Sequence, residues 1–266
     1  MYKHTTVIKS RLEQWSRKYS TPEIICQAEA IPLRKDMVTL LNYVQDNKVV
    51  GTQSLGNMPL KDVRAVTAQF VNPPVLDKRS GDRVYKLRSA DDVWPLYFLH
   101  ILAEVSEMIL AAPSRRWRVT HHAETFLQKT PLMQLAFLLT IWWYYVNWAV
   151  AFPYTGMGDN LPDGFQYLTL QNLLILPVGE RIHFESLADS LIEATGLTWS
   201  AQTPMTQIIL RGAIQSMVIY RLNDFGAVTC KYEKNSPGSG TRGEMVAFEI
   251  TPLGRALLEA VELTTR

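Results

Sequence analysis

The chain has 266 residues, of which 47% are hydrophobic and 20% charged, a composition typical of globular proteins that excludes a disordered or collagen-like chain. This length predicts one large domain or two ordinary ones. The 27 basic residues nearly balance the 25 acidic ones, and the net charge of +2 excludes a histone-like cation and an acidic solvating chain. Cys26 and Cys230 fit neither a metal site nor a disulfide framework, so we expect a cytoplasmic protein without a cofactor.

Positive charge is concentrated at the beginning of the chain. Residues 1–35 contain seven basic and three acidic residues, a net charge of +4. Leu12, Trp15 and Tyr19 recur at helical spacing, which predicts an amphipathic helix. We therefore predict a basic N-terminal helical arm over residues 1–35. Such an arm contacts a polyanion, or it is simply the solvated face of a helix.

Periodicity and proline positions predict the next elements of the first half. In chain order they are a helix over 36–47, a strand over 49–55, a helix over 60–71, an apolar helix over 94–110 and a strand over 115–120. The segment 75–92 is a polar insertion around Gly81.

An apolar segment over 131–152 is long enough to span a membrane, which takes roughly 20 residues. Three polar residues interrupt it, Gln134, Thr140 and Asn147. Its aromatic residues lie in the middle, whereas membrane proteins place them at the two interfaces. We predict a long aromatic helix buried in protein, with a membrane span as the alternative, and we expect no membrane partner.

The second half begins with a segment rich in proline and glycine, which predicts a linker over residues 153–168. The predicted elements that follow are a helix over 168–176, a strand over 181–184, a helix over 185–196 that ends at Gly196, a long helix over 204–226, strands over 227–235 and 244–251, and a helix over 253–263.

The two halves share an order of elements, and residues 119–127 align without a gap on residues 250–258, Thr120 on Thr251. The order helix, strand, helix, helix, strand, strand resembles the winged-helix module. The resemblance implies a mainly α fold with small β wings (α+β) and two winged-helix modules in tandem, over residues 36–152 and 169–266. It extends to uncharacterised bacterial proteins with two such modules. The winged-helix family includes transcription regulators and pure protein-interaction modules, so the fold alone does not decide function.

The third helix of a winged-helix DNA reader enters the major groove. In the second half, Gln207, Arg211 and Gln215 are spaced by four and share one helix face. Glutamine pairs with adenine and arginine with guanine, so these residue types suit base reading. The alternative is an ordinary solvated stripe. The equivalent stripe of the first half carries Glu104 and Glu107, which would repel phosphates.

The predicted wings also carry positive charge that suits phosphate contacts. Three arginines lie on the first wing, with Arg116 and Arg118 on one face of the strand and Trp117 on the other. The complete set of candidate wing residues is Arg115, Arg116 and Arg118 in the first half and Lys231, Lys234 and Arg242 in the second. The alternative role of this charge is solubility.

Catalytic motifs are not apparent in the sequence. The pair His121-His122 lacks the spacing of a metalloprotease helix, and the GSGTRG segment lacks the ending of a phosphate-binding loop. We therefore expect a protein that is not an enzyme. The winged-helix resemblance implies a nucleic-acid-binding protein similar to transcription regulators, with double-stranded DNA as its partner. The alternative is a protein-interaction or scaffold module whose partner is a second copy of the chain or another protein.

Overall fold

The computed structural model describes residues 2–53, 56–80, 83–111, 115–151, 161–198, 205–233 and 244–264. It is mainly helical with a few small antiparallel sheets, which confirms the predicted α+β class. The helices are α1 (Tyr2–Tyr19), α2 (Pro22–Ala30), α3 (Pro32–Asp46), α4 (Leu60–Thr67), α5 (Trp94–Val105), α6 (His121–Leu127), α7 (Pro131–Tyr144), α8 (Trp148–Ala151), α9 (Phe165–Ile175), α10 (Phe184–Thr195), α11 (Thr206–Ile214), α12 (Tyr220–Asp224) and α13 (Pro252–Leu263). The strands are β1 (Lys78–Ser80), β2 (Arg83–Tyr85), β3 (Ile109–Ala111), β4 (Trp117–Val119), β5 (Ile182–His183), β6 (Val228–Tyr232) and β7 (Met245–Ile250).

The chain forms two compact units. The central unit is Glu29–Ile141, and the terminal unit combines Met1–Ala28 with Trp142–Arg266. Helix α1 therefore belongs to the same unit as α13. The indole N–H of Trp15, which is 3% exposed, donates to the carbonyl of Ala256 at 2.8 Å. A salt bridge of 2.9 Å joins Lys18 to Glu259 beside it.

In the central unit, α3 packs on α5 and on β4. The hydroxyl of Tyr43 in α3 donates to Asp62 in α4 at 2.8 Å. Strand β4 pairs antiparallel with β3 on one side. On its other side, Val50 forms an isolated bridge with Arg116 just before β4. The predicted strand over 49–55 is thus reduced to one bridge, with residues 54–55 outside the described residues.

In the terminal unit, α9 packs on α10 and on α13, and α10 packs on β5 and β7 of a three-stranded antiparallel sheet of order β5-β7-β6. Helix α10 ends at Gly196, whose positive φ of 64° is the left-handed cap that the sequence predicts. Helices α11 and α12 are joined by a π-helical turn over Gln215–Ile219, so residues 206–224 form one helical rod.

A hydrogen-bond arrangement next to the last strand recurs in both units. In the central unit, Thr120 caps α6 and donates through its hydroxyl to the carbonyl of Glu107, at 2.6 Å. In the terminal unit, Thr251 caps α13 and donates to the carbonyl of Gly226, at 2.7 Å. Glu107 and Gly226 both have positive φ and follow the end of a helix. The threonine therefore ties the last wing strand to that helix end in the same way twice.

Two predicted elements in the first half differ from the structure. The helix over 94–110 ends at Val105, because Glu107 turns the chain with φ of 56° and β3 follows. The polar insertion over 75–92 contains a hairpin, in which β1 and β2 pair with Lys78 opposite Tyr85.

The long helix predicted over 131–152 is also wrong, because α7 ends at Tyr144 and α8 begins at Trp148. The side chain of Asn147 accepts a hydrogen bond from the backbone of Ala149 and so caps α8. The break lets the indole of Trp148 stack on that of Trp142, with ring centres 5.3 Å apart. These indoles are fully buried. Within the described residues, no helix has the length and apolar character needed to cross a bilayer.

The first half of the predicted linker over 153–168 lies outside the described residues, which omit 152–160. Its last residues are helical, since α9 begins at Phe165. The indole of Trp143 donates to the carbonyl of Gln166 at 3.1 Å, so the start of α9 is fixed to the end of α7.

Candidate nucleic-acid interface

The base-reading stripe predicted on the third helix of the terminal unit is held by acidic residues of α10. The guanidinium of Arg211 donates to both carboxylate oxygens of Asp189, at 2.8 and 2.6 Å, and to Glu185 at 2.8 Å. The amide of Gln207 donates to the same carboxylate of Asp189 at 2.7 Å. Two of the three residues predicted to read bases, Gln207 and Arg211, therefore donate hydrogen bonds to the same aspartate.

The positive charge of Arg211 is neutralised by its carboxylate partners. Hydrogen bonding from Arg211 holds the pKa of Asp189 below its usual range. In return, hydrogen bonding to Asp189 raises the pKa of Arg211. Two carboxylates, from Asp189 and Glu185, face one guanidinium, so the local net charge is negative. A phosphate approaching here meets repulsion, and a base must compete with a bidentate ion pair.

Gln215 lies at the start of the π-helical turn and not on a regular α-helical face. Its amide donates to the hydroxyl of Tyr220, five residues along, and the side chain is half-buried. Base reading by Gln207, Arg211 and Gln215 therefore stays a prediction, and it requires these side chains to release their partners within the protein. All three side chains are engaged within the protein, because local spacing carries no information about α10 or the π turn.

The equivalent helix of the central unit is α5, and one of its side chains stacks on a buried tryptophan of β4. The imidazole of His100 stacks on the indole of Trp117, with ring centres 4.4 Å apart and planes 16° apart. Burial lowers the pKa of His100. Glu104 and Glu107 are exposed, and Glu107 lies 3.6 Å from His122. Glu104 is on α5, where its carboxylate disfavours entry into a DNA groove, whereas Glu107 lies beyond the end of the helix and not on the predicted stripe.

The first wing presents its positive charge to solvent. Arg116 and Arg118 are exposed, whereas Trp117 between them is 3% exposed, which confirms the predicted alternation. The indole N–H of Trp117 donates to the carbonyl of Gly56 at 3.0 Å, so the strand is fixed from its buried face. Among the described residues, no carboxylate lies within salt-bridge distance of Arg116 or Arg118.

Arg115 has a different position from its two neighbours. Its backbone is left-handed, with φ of 59°, and its carbonyl accepts a hydrogen bond from the N–H of Gly51 at 2.8 Å. The side chain is half-buried. It therefore lies just before β4, at the turn end of the β3–β4 hairpin, and Arg116 and Arg118 are the pair that faces outward.

The second wing has less available charge. Lys231 in β6 forms a salt bridge of 3.2 Å with Glu249 in β7. Lys234 and Arg242 lie outside the described residues. Of the lysines and arginines predicted on this wing, the described residues therefore include one, Lys231, and Glu249 neutralises its charge.

A second basic element, which the sequence reasoning missed, is the β1–β2 hairpin. Arg83, Lys86 and Arg88 are exposed on or beside β2. Asp77 closes the base of the hairpin: its carboxylate accepts from the N–H of Leu87 at 3.2 Å and from Arg64 at 2.9 Å. Two short runs separated by the pair Gly81-Asp82 in the sequence were the available hairpin signal.

The described residues contain no group of histidine, cysteine, aspartate and glutamate side chains placed to hold a metal ion. Comparison of the chain with family models, with curated proteins and with solved structures finds no match.

Proposed function

We propose that the protein binds double-stranded DNA as two tandem winged-helix modules, and that the wing of the central unit holds the phosphate backbone. The observation that carries this proposal is the exposed pair Arg116 and Arg118, the first just before β4 and the second within it. Residues two apart on a strand lie about 6.6 Å apart, so the two guanidiniums reach separate phosphates. Such contacts position a duplex without reading its sequence.

The order of strands supports two copies of one module. In the terminal unit, the strand between the first two helices pairs with the last wing strand, as β5 pairs with β7. In the central unit, Val50 takes the same place beside β4. The recurring hydroxyl bonds of Thr120 and Thr251 support the same interpretation.

The roles that we propose for the two units differ from the roles expected from the sequence. We assign phosphate contact to the central unit. Base reading through Arg211 requires the guanidinium to leave Asp189 and Glu185, so the terminal unit is proposed not to read bases. A role without catalysis in a reducing cytoplasm accords with the free thiols of Cys26 and Cys230.

The experiment is binding of a labelled random-sequence duplex at low salt, followed by fluorescence anisotropy. We expect the wild type to bind and Arg116→Ala to bind every sequence more weakly. Arg181→Ala is the matched control, since Arg181 is an exposed arginine of the terminal unit. Absence of binding by the wild type at low salt would contradict the proposal.

A second candidate function is protein binding through the third helix of the terminal unit. Met205 and Ile208, at the start of α11, are 58% and 62% exposed, beside the ion pair of Arg211. An apolar patch next to neutralised charge suits a protein surface better than DNA. The partner is a second copy of the chain or another protein. Sedimentation of the wild type and of Ile208→Asp tests the first of these partners.

A further inference from the structure

The base of the β1–β2 hairpin borders an open cleft of about 410 Å³, within the size range of ligand sites. The cleft lies within the central unit. Its main lining residues are Pro74, Val75, Tyr85, Lys86, Arg88 and Trp94. Aromatic and cationic side chains therefore meet in one concave surface, apart from the wing arginines.

The aromatic part of the cleft has one exposed ring and one ring that packs on the core. Tyr85, at the end of β2, is 53% exposed. Trp94 begins α5 and is half-buried. Its indole stacks on the ring of Phe98, with centres 5.6 Å apart and planes 16° apart. Phe98 is 1% exposed, so the indole is supported from behind by the core. A planar ligand would meet a surface that is already in place.

The charge of the cleft favours an anion. Lys86 and Arg88 are exposed side chains that line it. Among its described lining residues, the only acid is Asp92. The carboxylate of Asp92 already accepts hydrogen bonds from the N–H groups of Arg88 and Ser89, at 3.2 and 3.0 Å, as part of a capping box. Two cations against one engaged carboxylate leave a net positive charge.

We infer that this cleft binds single-stranded nucleic acid. A base stacks on Tyr85 or Trp94, and the adjoining phosphates lie against Lys86 and Arg88. Every base has a π-face and every nucleotide a phosphate, so this combination accepts any sequence. The ligand differs from the duplex proposed above, and the inference does not depend on that proposal.

The test measures anisotropy of a labelled short oligothymidylate and of the matching oligouridylate. The two arms distinguish DNA from RNA as the preferred ligand. Loss of one stacking side chain weakens binding about 5- to 150-fold, which we expect for Tyr85→Ala. Tyr85→Phe keeps the ring and should bind like the wild type. Tyr167→Ala is the matched control, because Tyr167 is 55% exposed in the terminal unit.

A second readout separates charge from stacking. Each phosphate contact on a single strand contributes about 0.7 to the slope of log affinity against log salt. We expect Lys86→Ala to lower this slope by about that amount, whereas Arg181→Ala leaves it unchanged. Arg116→Ala should leave oligonucleotide affinity intact, and Tyr85→Ala should leave duplex affinity intact, so the two proposals fail separately.

Three results would overturn the inference. The first is wild-type affinity for both oligonucleotides in Tyr85→Ala and Lys86→Ala. The second is no oligonucleotide binding by the wild type at low salt, and the third is Tyr85-dependent binding of a proline-rich peptide without oligonucleotide binding, since aromatic grooves also receive such peptides.

Discussion

Replacing Gly254 with alanine should destabilise the terminal unit, although this position lies in the first turns of a helix where alanine is normally preferred. A Cβ at Gly254 would lie 1.8 Å from the carbonyl oxygen of Ala227, and contacts below 3.0 Å are essentially never observed. The obstacle is backbone, so α13 or the turn before β6 must move by more than 1 Å. That movement strains the hydrogen bond from Thr251 N–H to the same carbonyl, now 3.1 Å.

The magnitude follows from three contributions. Overpacking against backbone costs about 3 kcal/mol, the upper end for an inserted methyl group. A lost hydrogen bond adds about 1 kcal/mol. The gain in helix propensity from glycine to alanine offsets about 1 kcal/mol. The expected net loss for Gly254→Ala is therefore about 3 kcal/mol in the free energy of unfolding.

Urea unfolding followed by circular dichroism measures this loss as a lower midpoint. Gly212→Ala is the matched control, because Gly212 lies in α11 and an added Cβ there meets nothing within 4 Å. We expect that variant to be up to about 1 kcal/mol more stable than the wild type. If Gly254→Ala is as stable as the wild type, the close approach of α13 to Ala227 is refuted.

Three further predictions concern other parts of the chain. Thr120→Ala and Thr251→Ala should each cost about 1–2 kcal/mol in urea unfolding, since each loses a helix cap and the same hydroxyl bond; a large difference would contradict the recurrence. Burial raises the pKa of Tyr43 to about 12, so the folded state favours the neutral phenol. This contribution to the free energy of unfolding is fully present below about pH 10 and is lost as the pH rises from about 10 to 12. Tyr43→Phe should remove this loss, measured as the urea midpoint at each pH. Arg211→Ala should leave the sequence preference of duplex binding in anisotropy unchanged, because Arg211 is paired with Asp189 and Glu185; a relaxed preference in Arg211→Ala would restore the base-reading hypothesis.

Elements defined by local signals were predictable from the sequence. The left-handed glycine at Gly196 and the threonine before each closing helix are short-range features, and their positions match the structure. The alternation of Arg116, Trp117 and Arg118 on the first wing was predictable for the same reason, since strand periodicity places neighbours on opposite faces.

Features that depend on distant residues were not predictable. Arg211 and Asp189 are 22 residues apart, and helical spacing alone does not reveal that α10 presents its carboxylates to α11. The break after Tyr144 is hidden because apolar residues continue through it, and its advantage is the contact between Trp142 and Trp148. Glu107 ends α5 in a left-handed conformation that sequence patterns assign to glycine or asparagine.

The central claim is that exposed arginines of the first wing hold duplex phosphates. The most direct measurement is the salt dependence of duplex affinity for the wild type, for the double variant Arg116→Ala with Arg118→Ala, and for Arg181→Ala. Each phosphate contact contributes about 0.9 to the slope of log affinity against log salt, so the double variant should lower the slope by about 1.8 while the control keeps the wild-type slope. Equal slopes for the wild type and the double variant would contradict the claim.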